Sequence, residues 1–389
     1  MEIFSDNIDS LRNELDIIKD SIGTTSFKKL IDNFELLEGF YSLMFEISGE
    51  EDDEAFDLLY KNKKYRALKD RERQLLHKKN ILNFIQNKEL HRAFSGRIIK
   101  LYDKDFSYYI NKRLYLRDYQ MADIICDFLD EEFNQADQFR SFIKNDRIFR
   151  VGISEDSSFK NVAGYTMYDF ITNNSFVVIS DDKKIADVDL MRIITHEFGH
   201  VVDNLDRRYV SRKDNVNYYW ISNYAEVYSM LYEKLFYDYL IRHNIFKGNA
   251  SWSLKQFYMD IFDHFNSIEY VSSLEDRLIV NERYKKANNI AEQIQVTDDG
   301  ITYIDAAILD NFNEINLYSY GGVIACYFAD LKHRNPEEFN RQFHTFKERR
   351  FGLFDFKILE DIGTNTDEVV QVFDKGLVEI TDNKKLILN

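Results

Sequence analysis

The sequence predicts a mainly α protein that contains one small β-sheet. Proline, which interrupts helices, occurs once in 389 residues, at Pro336, where "NPEEF" has the form of a helix start. Apolar residues recur at helical spacing over long stretches, whereas short β-prone runs lie between residues 147 and 180. A hydrophobic content of 44% with 15% aromatic residues is ample for a large core.

Residues 1–145 are predicted to form successive amphipathic helices. Two examples are Ser26–Ile47, "SFKKLIDNFELLEGFYSLMFEI", and Tyr119–Phe133, "YQMADIICDFLDEEF". We expect this region to form one wall of a central cleft. Residues 146–389 would then form the region that carries the chemistry.

Two short runs predict a small sheet within residues 147–180. "RIFRVGIS" (Arg147–Ser154) and "NSFVVIS" (Asn174–Ser180) are rich in Val, Ile and Phe and are able to pair. A free edge of this sheet would be able to bind an extended polypeptide through backbone hydrogen bonds. An ordinary scaffold sheet is the alternative.

The next element is a helix predicted over residues 187–208, which contains "HEFGH". Asp187 or Asp189 is able to cap its start, and its apolar residues recur at helical spacing. Residues four apart lie on one face of a helix, so His196 and His200 would point at a single ion. The five-residue pattern also arises by chance, so a pair of core histidines is the structural alternative.

A catalytic zinc site uses three protein ligands and leaves one position for water. One class of zinc protease takes the third ligand from HExxHxxGxxH, but here Asp203 replaces the glycine and Asp206 would point away from the histidines. Another class takes a glutamate from a following helix, here predicted over residues 222–244. Spacing alone leaves Glu226 and Glu233 both open as the ligand.

"HEFGH" followed by "AEVYSMLYEKLFYDYL" (Ala225–Leu240) resembles the thimet oligopeptidase and oligoendopeptidase F family of zinc metallopeptidases. The resemblance implies a multi-helical peptidase fold, one zinc ion, and Glu226 as the third ligand after His196 and His200. Asp203 and Glu233 would then lie around the ligands as supporting groups. The part before residue 145 is shorter than is usual in that family.

A third segment, "NLYSYGGVIACYFADL" (Asn316–Leu331), resembles the family stretch in which tyrosines precede a glycine and a helix of small apolar residues. The resemblance implies that Tyr318 or Tyr320 stabilises the oxyanion formed during peptide hydrolysis. The histidine that accompanies these tyrosines in the family has no counterpart in "DNFNEIN". Aromatic packing is the alternative for both tyrosines. These residues belong to helices predicted over residues 300–389.

Composition excludes several other classes of protein. A net charge of -16 argues against nucleic-acid binding. Cys126 and Cys326 are too few for a disulfide scaffold and are predicted to be buried thiols. No membrane-spanning run or signal pattern is apparent, so the cytoplasm is the expected location.

Together these patterns predict a zinc-dependent endopeptidase that acts on oligopeptides, with Glu197 as general base. Two alternatives stay open. One is a zinc endoprotease of toxin or effector type that cleaves a single protein, and the other is a zinc-stabilised peptide-binding protein without turnover.

Overall fold

A computed structural model describes residues 3–4, 116–151, 163–169, 174–180, 187–207, 224–279, 301–350 and 358–382. These residues are mostly helical and include one three-stranded sheet, which confirms the predicted fold class. The predicted helix Ser26–Ile47 and the rest of residues 5–115 lie outside the described residues.

The elements in chain order are α1 (Asp118–Phe133), α2 (Ala136–Lys144), β1 (Ile148–Val151), β2 (Gly164–Asp169), β3 (Asn174–Ser180), α3 (Asp187–Arg207), α4 (Val227–Arg242), α5 (Lys247–Ile279), α6 (Ile301–Arg334), α7 (Pro336–Arg349), α8 (Ile358–Ile362) and α9 (Thr366–Asp382). The helix predicted from residue 119 is α1, which begins one residue earlier.

The chain forms two compact units. The first consists of Met1–Lys69, Asn111–Val210 and Leu235–Ala250, and the second of Asp70–Ile110, Ser211–Lys234 and Ser251–Asn389. Helices α4 and α5 therefore each contribute residues to both units. The predicted functional division at residue 145 stays a prediction.

In the first unit the sheet has the strand order β1-β3-β2. The predicted pairing of the two β-prone runs is confirmed, because β1 pairs with β3 in parallel from Ile148 opposite Val177. Residues 175–179 of β3 are all buried, as expected of a central strand with little alternation. Strand β2 was not predicted, and it pairs antiparallel to β3 at one end of the sheet.

Helix α3 follows the sheet and lies in the core of this unit. It covers residues 187–207, so the predicted range of 187–208 is confirmed to within one residue. Of its predicted apolar face, Leu190, Ile193, Ile194, Val201 and Val202 are buried and Leu205 is half-buried. The Phe198 ring packs edge-on against Phe139 and Phe142 of α2, with ring centroids 5.0 and 6.0 Å apart.

Helix α4 is buried on every side over most of its length. All six residues of its predicted apolar stripe are buried: Tyr224, Val227, Tyr228, Leu231, Leu235 and Leu240. In the first unit, Phe236 packs on Phe128 of α1 with centroids 5.2 Å apart, and Arg242 pairs with Glu131 at 3.1 Å and with Glu132. The helix ends at Arg242, two residues before the predicted end, because Asn244 adopts the left-handed conformation (φ 57°) that closes many helices.

In the second unit the long helix α6 packs on α5, α7 and α9. Gly322 of α6 lies so close to Ile261 of α5 that an added Cβ would come within 2.4 Å of the Ile261 Cδ1 atom. Tyr228, in the first half of α4, packs against Phe343 of α7 with the ring planes tilted by 47°, and the Arg350 guanidinium lies 5.1 Å from the Tyr228 ring centroid. Tyrosines and phenylalanines thus supply much of this core.

The described residues include no helix with a stretch both long and apolar enough to cross a bilayer. Both cysteines are buried, as predicted, and desolvation by burial raises the pKa of the Cys126 thiol. A thiol of raised pKa is a poor nucleophile, which fits a packing role.

The single proline begins α7, as the sequence predicts. Asn335 precedes Pro336, and its side-chain oxygen accepts a hydrogen bond from the Glu338 backbone N–H at 3.2 Å. This bond satisfies one of the backbone donors that a helix start leaves without an intrahelical partner.

We expect Asn335→Ala to destabilise the start of α7 by about 1 kcal/mol, because the substitution removes the cap. Hydrogen exchange at the Glu338 and Phe339 amides would measure the loss. Asn335→Asp keeps the acceptor and is the matched control. Equal protection in the alanine variant and the wild type would contradict the capping role.

Candidate metal centre

Three predicted metal ligands come together in the structure. One ligand atom from each of His196, His200 and Glu226 lies within 4.8 Å of the others. None of the three side chains is exposed at the surface. Among the described residues this is the one group of three or more His, Cys, Asp or Glu side chains with such spacing.

The two imidazoles come from one face of α3. His196 and His200 are one helical turn apart, and their ring centroids are 5.2 Å apart with the planes at 77°. The apolar neighbours that bury α3 fix the direction of this face. The pair is therefore pre-arranged by helix geometry and by packing of the same helix.

Glu226 supplies the carboxylate, but from a turn and not from within a helix. Residues 224–226 form a turn, in which the Val227 N–H donates to the Tyr224 carbonyl at 3.1 Å, and α4 begins at Val227. The predicted start at residue 222 was therefore too early, while Ser222 and Asn223 lie outside the described residues. At the start of α4 a carboxylate interacts favourably with the positive end of the helix dipole.

Two neighbours in the second unit fix the position of Glu226. The Ser229 hydroxyl lies 2.8 Å from Glu226 Oε2 and 2.9 Å from the Glu226 carbonyl oxygen. On the opposite element, α6, a Cβ added to Gly321 would lie 2.9 Å from the Glu226 Cβ. A glycine is therefore required where α6 approaches Glu226 this closely.

Glu197, the predicted general base, is 5% exposed and faces strand β2. The Thr166 hydroxyl lies 2.6 Å from Glu197 Oε2. On a helix, Glu197 points about 60–100° away from His196 and His200, so it flanks their face and does not share it. Glu197 is therefore not part of the cluster that the two histidines form with Glu226.

The two predicted tyrosines lie inside α6, and not in a segment that precedes the helix. Tyr318 is half-buried and stacks on His264 of α5, with centroids 5.4 Å apart and planes at 24°. Tyr320 is 7% exposed, and desolvation by burial, with a smaller contribution from Tyr224, raises its pKa well above 10. Residues two apart on a helix point about 160° apart, so the two tyrosine side chains leave α6 on different sides.

The remaining predicted residues do not belong to the ligand group. Glu233 is buried two turns along α4, which leaves Glu226 as the carboxylate of the cluster. Asp203 is 1% exposed and lies nearly one turn after His200 on α3. Asp206 continues the same helix, as expected without the glycine turn. Supporting roles for Asp203 and Glu233 stay predictions.

Sequence reasoning missed the groups that hold the acidic side chains. Thr166 and Gly164 lie on the strand that was not predicted. Ser229 and Gly321 lie in the two segments that resemble the peptidase family, but no role was predicted for either, and His264 belongs to no motif. A signal was present in "AEVYS", where a serine follows Glu226 by three residues, the spacing at which a side chain reaches back at a helix start.

No protein-family model matches the chain, and no characterised protein matches it by sequence. Two solved structures are similar in fold. One is a Bacillus anthracis protein assigned as an oligoendopeptidase F, with a TM-score of 0.48, 15% identity, and coverage of 93% of this chain and 66% of that one. The other is PZ peptidase A with an inhibitor, with a TM-score of 0.43, 13% identity, and coverage of 80% and 59%.

The chain thus spans less than two thirds of either neighbour's length. These values describe a distant likeness of chain architecture. The chemistry of the site therefore has to follow from its own residues.

We expect Gly321→Ala to weaken metal binding about 10- to 100-fold, because the new Cβ would displace Glu226 from its place beside the histidines. Zinc affinity measured by competition with a chelator would test this. Gly248→Ala is the matched control, since a Cβ there meets nothing within 4 Å. Unchanged zinc affinity in a folded Gly321→Ala protein would contradict the placement of Glu226 as a ligand.

Proposed function

We propose that this protein is a zinc-dependent endopeptidase that hydrolyses peptide bonds in oligopeptides. The observation that carries the proposal is the cluster of His196, His200 and Glu226, whose ligand atoms lie within 4.8 Å of one another. Two imidazole nitrogens and one carboxylate oxygen are a donor set typical of catalytic zinc, which keeps a fourth position for water.

The spacing of the donors supports the fit. Donor atoms around a tetrahedral zinc ion with bonds of about 2.0–2.1 Å are about 3.3 Å apart, so shifts of about 1 Å would close the cluster around the ion. When bound, zinc supplies Lewis acidity, which lowers the pKa of a coordinated water and polarises a peptide carbonyl.

Glu197 is the general base in this proposal. Its carboxylate takes a proton from the attacking water and passes it to the nitrogen of the leaving amine, so that no net proton is gained or lost. Its low exposure keeps bulk water from competing for this transfer. Adjacent to His196 on α3, it is held at a fixed angle to the ligand face.

An extended peptide is the substrate that the neighbouring strand favours. β2 lies at one end of the strand order in the described sheet, and its Thr166 contacts Glu197. An edge strand binds an extended chain through backbone hydrogen bonds with little dependence on side chains. The exposed Tyr165 ring, 41% accessible, would contact a chain bound there.

The first test is cleavage of a broad fluorogenic peptide library by the zinc-loaded protein. We expect cleavage at internal bonds that a chelator abolishes and that zinc restores. Absence of zinc-dependent cleavage across the library would contradict the proposal. Cleavage of one folded protein with all peptides ignored would replace it by the narrow, effector-type activity.

We expect Glu197→Gln to lower kcat at least about 100-fold while one zinc ion stays bound, because the substitution removes the base and leaves the ligands. His196→Ala is the contrasting variant, and it should lose both zinc and activity. Zinc content and initial rates on the same preparations separate the two. Peptide binding without hydrolysis in both wild type and Glu197→Gln would instead support a peptide-binding protein.

We expect Tyr318→Phe to lower kcat about 100-fold, as loss of one oxyanion donor does in other hydrolases. Tyr318 is half-buried and lies one turn before Gly321, the residue beside Glu226, whereas Tyr320 is deeply buried. Tyr320→Phe should therefore have the smaller effect on kcat. The reverse order of effects would assign the donor role to Tyr320.

A further inference from the structure

Strand β2 approaches Glu197 through a side-chain hydroxyl. Thr166 Oγ1 lies 2.6 Å from Glu197 Oε2 and 3.0 Å from the Glu197 backbone carbonyl oxygen. A hydroxyl carries one proton, so it donates to one acceptor at a time. The charged carboxylate at the shorter distance is the stronger acceptor.

Gly164 lies two residues earlier and therefore faces the same side of the strand. A Cβ at this position would be 2.9 Å from Glu197 Oε1, 3.0 Å from Glu197 Cγ and 2.6 Å from Ile193 Cγ2. No real side chain fits at these distances without displacing α3 or Glu197. Gly164 thus allows the strand to come close enough for the Thr166 hydrogen bond to form.

The sheet fixes both residues in place. Thr166 pairs with Val177 of the central strand β3, and Gly164 pairs with Ile179. Because β3 is buried throughout residues 175–179, the register of β2 against it is well determined. The Thr166 hydroxyl is therefore presented to the carboxylate by a rigid element.

We propose that Thr166 is a positioning residue for Glu197, and that Gly164 makes this positioning possible. The inference rests on the proposed function. The hydroxyl holds the Glu197 carboxylate in one orientation, from which the carboxylate takes the proton from water and delivers it to the leaving amine. Without this hydrogen bond the carboxylate would rotate between orientations, and one of its buried oxygens would lose a hydrogen-bond donor.

The test compares Thr166→Val, which removes the hydroxyl, with Thr166→Ser, which keeps it. A hydrogen bond to a charged group corresponds to about a 10- to 100-fold change in rate, so Thr166→Val should lower kcat by that factor. KM and zinc stoichiometry should stay as in the wild type, because neither depends on the orientation of Glu197. Thr166→Ser should restore most of the lost rate.

Thr195→Val is the matched control. It removes the same group from a buried threonine next to the site, but the Thr195 hydroxyl bonds to the Arg192 carbonyl of its own helix at 2.8 Å. We expect this variant to keep the wild-type kcat.

A double-substitution experiment separates positioning from a general structural effect. In a Glu197→Gln background the base is already gone, so Thr166→Val should change the residual rate by less than about twofold. A further 10-fold loss in that background would overturn the proposal, and so would an unchanged kcat in the single Thr166→Val variant. If the wild type itself fails to cleave peptides with zinc, the proposed function fails and the role of Thr166 falls with it.

Discussion

The candidate site depends on the cost of removing carboxylates from water. An acidic side chain held away from solvent is stable only if donors or positive charge replace the lost hydration. Glu197 and Glu226 each meet this requirement in the same way, through a nearby hydroxyl on Oε2 and a glycine that allows a second element to come close. A cation bound by the adjacent imidazoles would supply the remaining stabilisation.

The local backbone places these two carboxylates differently relative to the histidines. Glu226 lies in the turn at the start of α4, where its side chain extends beyond the helix to meet the two histidines. Glu197 lies within α3 between the histidines in sequence, but helix geometry directs it to their side. In the proposed function, the same type of side chain thus acts as a ligand at one position and as a base at the other.

The sequence predicts those parts of the molecule that local patterns control. The helical spacing of apolar residues after Asp187 predicts the bounds of α3. Asn335 followed by Pro336 predicts the start of α7. The pairing of β1 with β3 follows from two runs with high β-propensity. The choice of Glu226 over Glu233 needed the family resemblance, because the two residues are seven positions apart and nearly share a helix face.

Most of the missed features depend on contacts between segments distant in sequence. "GYTMYD" is short and begins with glycine, and β2 is defined mainly by its pairing with β3. The effect of Gly321 requires the approach of α6 to residue 226, and the partner of Tyr318 is His264 on a different helix. Spacing within one segment contains no information on such approaches.

The adjacent glycines in α6 have one more consequence. Glycine in a helix interior weakens the helix by about 1 kcal/mol relative to alanine, so Gly321 and Gly322 make the middle of this 34-residue helix its intrinsically least stable part. The turn there is maintained by Ile261 and Met230, which fill the space that side chains would occupy. Among the described helices, the longest is therefore most dependent on its neighbours at the point where it contacts Glu226.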